Sequence, residues 1–324
     1  MPHAKRAVLA PDGAGGAREW AFRAMVAPLT RPLRWVDLLI VCLAGFAALF
    51  LTLDGRWIPM AGRAIAIFAG LAVGVPVLRF LALKWPAFKP FDVVGSLWVL
   101  VCAGLAHGAM QVLVDGLHPV LFDAYLARAD LRLFGGYPSA LLDRHLGGVA
   151  MDALLLCYYS YYIWPSAMGL WLYFRKSRAQ LEHYALAIGL AYAVNFLFYV
   201  LVPAIGPRFY LLDVFPGPLH GVFVTPYLEG LMQTPAFMRD CFPSGHTAVT
   251  LLVLTFAFRY ARGFFWVMLP VGLGLITATL AGRFHYGIDV LCALPLTVVA
   301  VLAADLLMRL DPLGRIPTSR AARG

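Results

Sequence analysis

The chain has 324 residues, 61% of them hydrophobic and 13% charged, with a formal net charge of +9 and a mean hydropathy of +0.78. A soluble domain carries about 25% charged residues, so these proportions exclude a water-soluble globular protein and predict an all-α, polytopic membrane protein. The basic residues are scattered among apolar runs, which argues against nucleic acid as a partner, and Cys42, Cys102, Cys157 and Cys292 lie inside such runs, which argues against a disulfide framework.

In chain order, residues 1–34 read as a basic tail with no apolar stretch suited to a cleavable signal. Apolar runs of roughly 20 residues, the length a spanning helix needs, then recur. Eight fall near 35–53, 64–83, 93–114, 150–173, 184–203, 246–261, 264–282 and 287–308. Trp35, Trp57, Trp85 and Trp266 stand at or near span ends, where interfacial anchors belong. Residues 309–324 form a second basic tail. Between the third and fourth runs, residues 119–146 are too polar to span. There Phe122, Tyr125, Leu126, Ala129 and Leu133 share helical spacing with Asp123, Arg128 and Asp130 between them. That pattern predicts an amphipathic helix in the outer interface, or a lid over a substrate.

With the N-terminus placed inside, 18 Lys and Arg fall on the cytoplasmic side and 8 on the other. The positive-inside rule then predicts that both termini are cytoplasmic. On that topology four polar positions converge on the non-cytoplasmic edge. Arg208 follows the fifth span in "LVPAIGPRFY", "PSGHT" with His246 opens the sixth, and "AGRFHYGIDV" with His285 and Asp289 opens the eighth.

These residue types suit a phosphate. His285 and Asp289 are four apart and share a helix face; a carboxylate there can hold the imidazole Nδ1–H and raise the basicity of Nε2, as a nucleophilic histidine requires. His246 stands in a first helical turn, where free N–H groups favour an anion. Ser244 and Gly245 would add a hydroxyl and an open backbone N–H, and Arg208 a bidentate fork. A His-x-x-x-Asp pair also suits a helix cap or half a metal site, but no Cys or Glu cluster with metal spacing joins it in the sequence, so no metal or other cofactor is expected. His107, His118, His145, His183 and His220 read as hydrogen-bonded or snorkelling residues.

"PSGH" followed some forty residues later by a His-x-x-x-Asp helix start resembles the type 2 phosphatidic acid phosphatase superfamily. The likeness covers residues 93–308, a six-helix phosphatase-like catalytic domain, with two extra spans in residues 35–92. It implies that His285 attacks phosphorus to form a phosphohistidine, that Asp289 orients it, and that His246 protonates the leaving group and later deprotonates the acceptor. Arg208 would match the arginine of the first motif. The pattern departs at three positions: Leu201 stands where a Lys is expected, Ala278 and Thr279 replace a Ser-Arg pair, and Arg283 appears two residues before His285. "HYGIDVLCA", with Tyr286, is similar instead to the sphingomyelin synthase motif, as is Asp240 six residues before His246. "VPAIGPR" and "FDAYLARADLRLFGGYP" resemble bacterial relatives of inositol phosphorylceramide synthase.

The expected activity is therefore metal-independent transfer of a phosphoryl head group between lipids or to an alcohol. Hydrolysis of a lipid phosphate or pyrophosphate uses the same residues with water as acceptor. The expected partners are the lipid substrate and its acceptor, with no obligate protein partner. A transporter would place its polar groups near the midplane in repeated halves, and no such halves are visible.

Overall fold

The computed structural model describes residues 34–53, 61–175, 177–215, 217–231 and 239–310. Both terminal tails, apart from residues 34, 309 and 310, and the Trp57 anchor lie outside them. Among the described residues the chain is all helix, with no strand.

The first two helices, α1 (Trp35–Leu53) and α2 (Ala61–Lys84), pack on each other. The third expected run is a bent pair, α3 (Lys89–Ser96) and α4 (Trp98–Leu117), turned by 58° around Leu97. Two short helices, α5 (Asp123–Phe134) and α6 (Pro138–His145), lead to α7 (Val149–Tyr159). A 3-10 turn at Ser160–Tyr162 divides α7 from α8 (Trp164–Phe174), which has Pro165 in its first turn. Proline suits a first turn, where its missing N–H costs nothing, and it weakens continuation from the preceding helix because its ring meets the preceding turn. Then come α9 (Arg178–Leu201), α10 (Pro207–Tyr210), α11 (Thr225–Leu231), α12 (Gly245–Tyr260), α13 (Arg262–Ala281) and α14 (Gly287–Arg309).

Among the described residues, five helices (α1, α2, α9, α13 and α14) are long and apolar enough to cross a membrane alone, and the bent α3–α4 pair makes a sixth span. The two other expected runs do not form single helices of that length. α12 has 16 residues, short of the usual spanning length, and the run at 150–173 is broken between α7 and α8.

α9 is the hub. It packs against α14, α4, α12, α1 and α8, and half of its most apolar stretch is buried. Large apolar side chains point outward elsewhere: Phe46 on α1, Trp266 on α13, Leu302 and Leu306 on α14. In water such a belt would be an association surface; a bilayer solvates it, while the helices satisfy their own backbone groups.

α5 keeps only part of the expected polarity: Leu126 is buried and Arg128 exposed, but two acids and two apolar residues are inverted. Asp123 and Asp130 are fully buried, whereas Tyr125 is 62% and Leu133 57% exposed. The carboxylates turn inward because backbone donors wait there. Asp123 accepts from the N–H groups of Ile205 (3.0 Å) and Gly206 (2.9 Å), and Asp130 from those of Gly287 and Ile288 (both 2.8 Å). Asp130 thus satisfies two of the orphan donors at the start of α14, and its negative charge suits the positive end of that helix. Burial holds both carboxyls above the usual carboxylate range.

Candidate active site

The site is assembled where the starts of α12 and α14 meet the 202–208 loop. Ser244 is the N-cap of α12, its Oγ accepting from the Thr247 N–H at 3.2 Å. Its own N–H donates to the backbone oxygen of Asp289 at 3.1 Å, tying the two helix starts together. The 202–208 loop packs onto the turn before α14. Gly206 has φ +85°, and a Cβ there would stand 2.6 Å from the Phe284 carbonyl oxygen. Only glycine combines that conformation with so close an approach. The next contact is the Arg208 N–H, which donates to the Arg283 carbonyl at 2.9 Å.

These contacts bring Arg208, His246 and His285 to one cavity of about 160 Å³, also bordered by Tyr158, Asp240 and Arg283. The ring centres of His246 and His285 are 6.0 Å apart. His246 is held by aromatic packing: Tyr158 stacks on it at 4.6 Å, and Tyr161 tilts against it at 4.4 Å.

His285 is oriented differently from the sequence expectation. Its Nδ1 lies 2.8 Å from the Cys241 carbonyl oxygen and 3.4 Å from Asp289 Oδ2. The second distance is beyond an ordinary N–H···O bond. A carbonyl can only accept, so Nδ1 carries the hydrogen, and in the neutral ring Nε2 keeps its lone pair. Asp289 is occupied elsewhere. Its Oδ2 accepts from the Tyr286 N–H at 2.8 Å and from the Cys241 thiol at 2.9 Å. The carboxylate therefore builds the helix start and anchors Cys241, whose carbonyl in turn holds the imidazole.

Cys241, His285 and Asp289 place one donor atom each within 4.8 Å of one another. The expectation that no cysteine joins the histidine–aspartate pair is thus corrected; 44 positions separate Cys241 from His285 in the sequence. Three such donors are a number found in catalytic zinc sites. The fit to a metal is poor, because these atoms are already hydrogen-bonded: His285 Nδ1 faces the Cys241 carbonyl oxygen at 2.8 Å, and Asp289 Oδ2 accepts from the Cys241 thiol and from the Tyr286 N–H.

The two arginines are both restrained. Arg208 forms an ion pair with Glu229 on α11 and still borders the cavity. Arg283, expected to bind phosphate, has φ 60° and directs Nε and Nη2 to Asp143 Oδ1 (3.1 and 2.8 Å) and Nη1 to the Gly217 carbonyl (2.7 Å). Positive φ is uncommon outside glycine, and these three contacts hold Arg283 in it. Ser244 is fully buried and spends its hydroxyl on the helix cap. Tyr286 is also fully buried, its hydroxyl donating to Asp123 at 3.0 Å. Neither borders the cavity that holds His285.

Several contributors were not singled out in the sequence. Tyr158 and Tyr161 belong to the run "YYSYY", whose density of aromatics at a span break was a usable signal. Asp152 on α7 had none: its carboxylate accepts four backbone N–H groups, from Val222 to Thr225, and the Thr225 hydroxyl. Those bonds fix the loop that leads into α11 and Glu229.

The fold defines a polytopic helical membrane protein. Residues 124–303, more than half of the chain, match the PAP2 superfamily, and the chain belongs to it. A PA-phosphatase related-family protein of Dictyostelium discoideum is 24% identical over 181 residues, which are 49% of this chain and 33% of that protein. The chain therefore spans about a third of that relative's length. No solved structure matches the chain significantly.

Proposed function

We propose that the protein is a membrane-embedded lipid phosphoesterase that transfers a phosphoryl head group to an alcohol through a phosphohistidine at His285. The observation that carries this reading is the pairing of two histidines from different helices, 6.0 Å apart, on a cavity bordered by Arg208. In the first step the Nε2 lone pair of His285 bonds to phosphorus while the bond to the leaving oxygen breaks, and His246 gives that oxygen a proton. In the second, the acceptor oxygen bonds to phosphorus, the phosphorus–nitrogen bond breaks, and His246 takes the acceptor's proton. Arg208, exchanging Glu229 for the substrate, neutralises charge on the phosphoryl oxygens. Gly245, in the first turn of α12, borders a neighbouring cavity that His246 also lines, and not the one bordered by Arg208. Asp240 borders the cavity and supports the histidines through its charge. Membership of the superfamily supports phosphoester chemistry on lipid phosphates; the transfer reading rests on the resemblance of the 285–293 and 202–208 segments to head-group transferases.

The printed name of the Dictyostelium relative favours a second reading, in which water replaces the alcohol. Incubating the purified protein with labelled lipid phosphates and phosphodiesters, with and without inositol, diacylglycerol or ceramide, separates the two. A labelled lipid or alcohol product supports transfer, and free phosphate alone supports hydrolysis. The distribution of Lys and Arg supports cytoplasmic termini and a site on the non-cytoplasmic face.

A further inference from the structure

A larger cavity, of about 600 Å³, lies among the end of α2, the helix α3 and the first turns of α9. Arg178 and Glu182 line it at the start of α9, whereas the 202–208 loop of the catalytic cavity follows Leu201 at the other end of that helix. At 1.5 Å per residue the 24 residues of α9 span roughly 35 Å, about the thickness of a bilayer's hydrocarbon core. The two cavities therefore sit at opposite ends of the helix bundle. The distribution of Lys and Arg supports the cytoplasmic side for this one.

Four cations converge on it: Arg34 from just before α1, Arg79 from α2, Lys89 from α3 and Arg178 from α9. Arg34 Nη2 donates to Asp37 Oδ1 at 2.8 Å and to the Gly95 carbonyl at 2.7 Å, and Arg79 donates to the same carboxylate. One buried aspartate thus holds two guanidinium groups. Asp92 accepts from Arg178 and from the Tyr173 hydroxyl. With Glu182, three carboxylates meet four cations here among the described residues, which leaves one positive charge in excess. Lys89 is exposed and the Arg178 side chain is 59% exposed, so both can meet a ligand from outside.

The remaining walls are apolar. Leu78 and Leu83 of α2 and Phe91 of α3 line the cavity, and Trp85 and Phe88 stand exposed beside Phe91. Aromatic rings in such a place belong at headgroup level. Val73 and Val77, further into α2, are exposed as well and offer a track for acyl chains.

We propose that this cavity binds the phosphodiester headgroup of an anionic membrane lipid, at the end of the bundle opposite the catalytic cavity. An excess of one positive charge matches a phosphodiester monoanion, and guanidinium forks suit its oxygens. Basic pockets between spanning helices recognise such headgroups. Free phosphate shares the anionic oxygens but makes no use of the apolar walls, so the lipid is the better fit.

The test is photolabelling of the full chain in phosphatidylcholine nanodiscs with a diazirine-bearing phosphatidylglycerol, followed by peptide mapping. Adducts are expected in residues 78–96 and 178–182, competed by unlabelled phosphatidylglycerol but not by added phosphatidylcholine or inorganic phosphate. Loss of one basic residue at an anionic surface costs about fivefold in binding, so Lys89→Gln and Arg178→Gln should each lower the adduct yield by that factor. Lys89→Glu should lower it further, and Lys89→Arg should label like the wild type. Adducts confined to the segments around His246 and His285 would place the lipid in the catalytic cavity and overturn the proposal. So would a yield that Lys89→Glu leaves unchanged. Equal competition by inorganic phosphate would make this a site for a free anion, and equal competition by phosphatidylcholine would remove its charge selectivity; either result contradicts the proposal.

Discussion

The Nδ1 of His285 is held by the carbonyl oxygen of Cys241 at 2.8 Å. That contact makes the residue before Phe242-Pro243-Ser244 part of the support of the proposed nucleophile, and it fixes the tautomer that leaves the Nε2 lone pair free.

The first prediction concerns the Cys241 side chain, which donates to Asp289 and so keeps its own carbonyl in place. A hydrogen bond to a charged group contributes about 1.5 kcal/mol, so Cys241→Ala is expected to lower kcat about tenfold. Cys241→Ser keeps a donor and should restore most of that loss. Steady-state kinetics of the two variants check this. Equal losses in both would show that packing of the sulfur, rather than its hydrogen, matters.

Asp152 tests the support of Arg208. Asp152→Ala leaves four backbone N–H groups and the Thr225 hydroxyl without their acceptor. The Thr225 N–H and hydroxyl are buried, and a buried donor left without a partner costs about 1–3 kcal/mol, so the thermal midpoint in detergent should fall. Because that loop leads into α11, which carries Glu229, the partner of Arg208, KM for the phosphate donor should rise more than kcat falls. An unchanged midpoint with unchanged KM would contradict this chain of contacts.

Much of this architecture was legible in the sequence, and the failures have physical causes. Apolar runs located every long helix, because a span must be apolar over most of its length. The bend at Leu97 and the break at Ser160–Tyr162 were not read, since composition stays apolar through both. The PSGH and His-x-x-x-Asp segments gave His246, His285 and Asp289, but not the partner of the His285 ring, because Cys241 is distant in sequence and acts through its backbone. α5 was read by periodicity alone, which assumes that carboxylates seek water. Asp123 and Asp130 instead find backbone N–H groups 82 and more positions away. His107 reads as a hydrogen-bonded or snorkelling residue and is hydrogen-bonded, but its partner Asp240 lies 133 positions away and is not legible from spacing.

Metal independence is the third expectation. The Cys241 thiol and Asp289 Oδ2 are hydrogen-bonded to each other and His285 Nδ1 to the Cys241 carbonyl, and Arg208 with helix-start N–H groups can neutralise phosphate charge instead. Activity should survive a chelator, and elemental analysis should find no stoichiometric metal. Complete loss in a chelator, restored by zinc or magnesium, would recast Cys241, His285 and Asp289 as a metal site.

Sidedness is the fourth. Tyr210 and Leu212, beside Arg208, are 41% and 66% exposed, and Trp85, at the end of α2, is 45% exposed. With Cys42 replaced by serine, Tyr210→Cys and Leu212→Cys should react with a membrane-impermeant thiol reagent in intact cells. Trp85→Cys should react only after the cells are opened. The reverse pattern would invert the topology.

The covalent intermediate is the centre of the account, and rapid quench with a labelled donor tests it most directly. With a nitrophenyl donor, whose leaving group needs no proton, His246→Ala should still complete the first step and accumulate labelled protein, because breakdown lacks its base. The label should be acid-labile, base-stable and located on His285. His285→Ala should form none and lose turnover by at least about a thousandfold while remaining folded. If neither wild type nor His246→Ala ever carries label, and donor and acceptor kinetics follow a sequential pattern, the phosphohistidine is excluded and His285 acts as a general base.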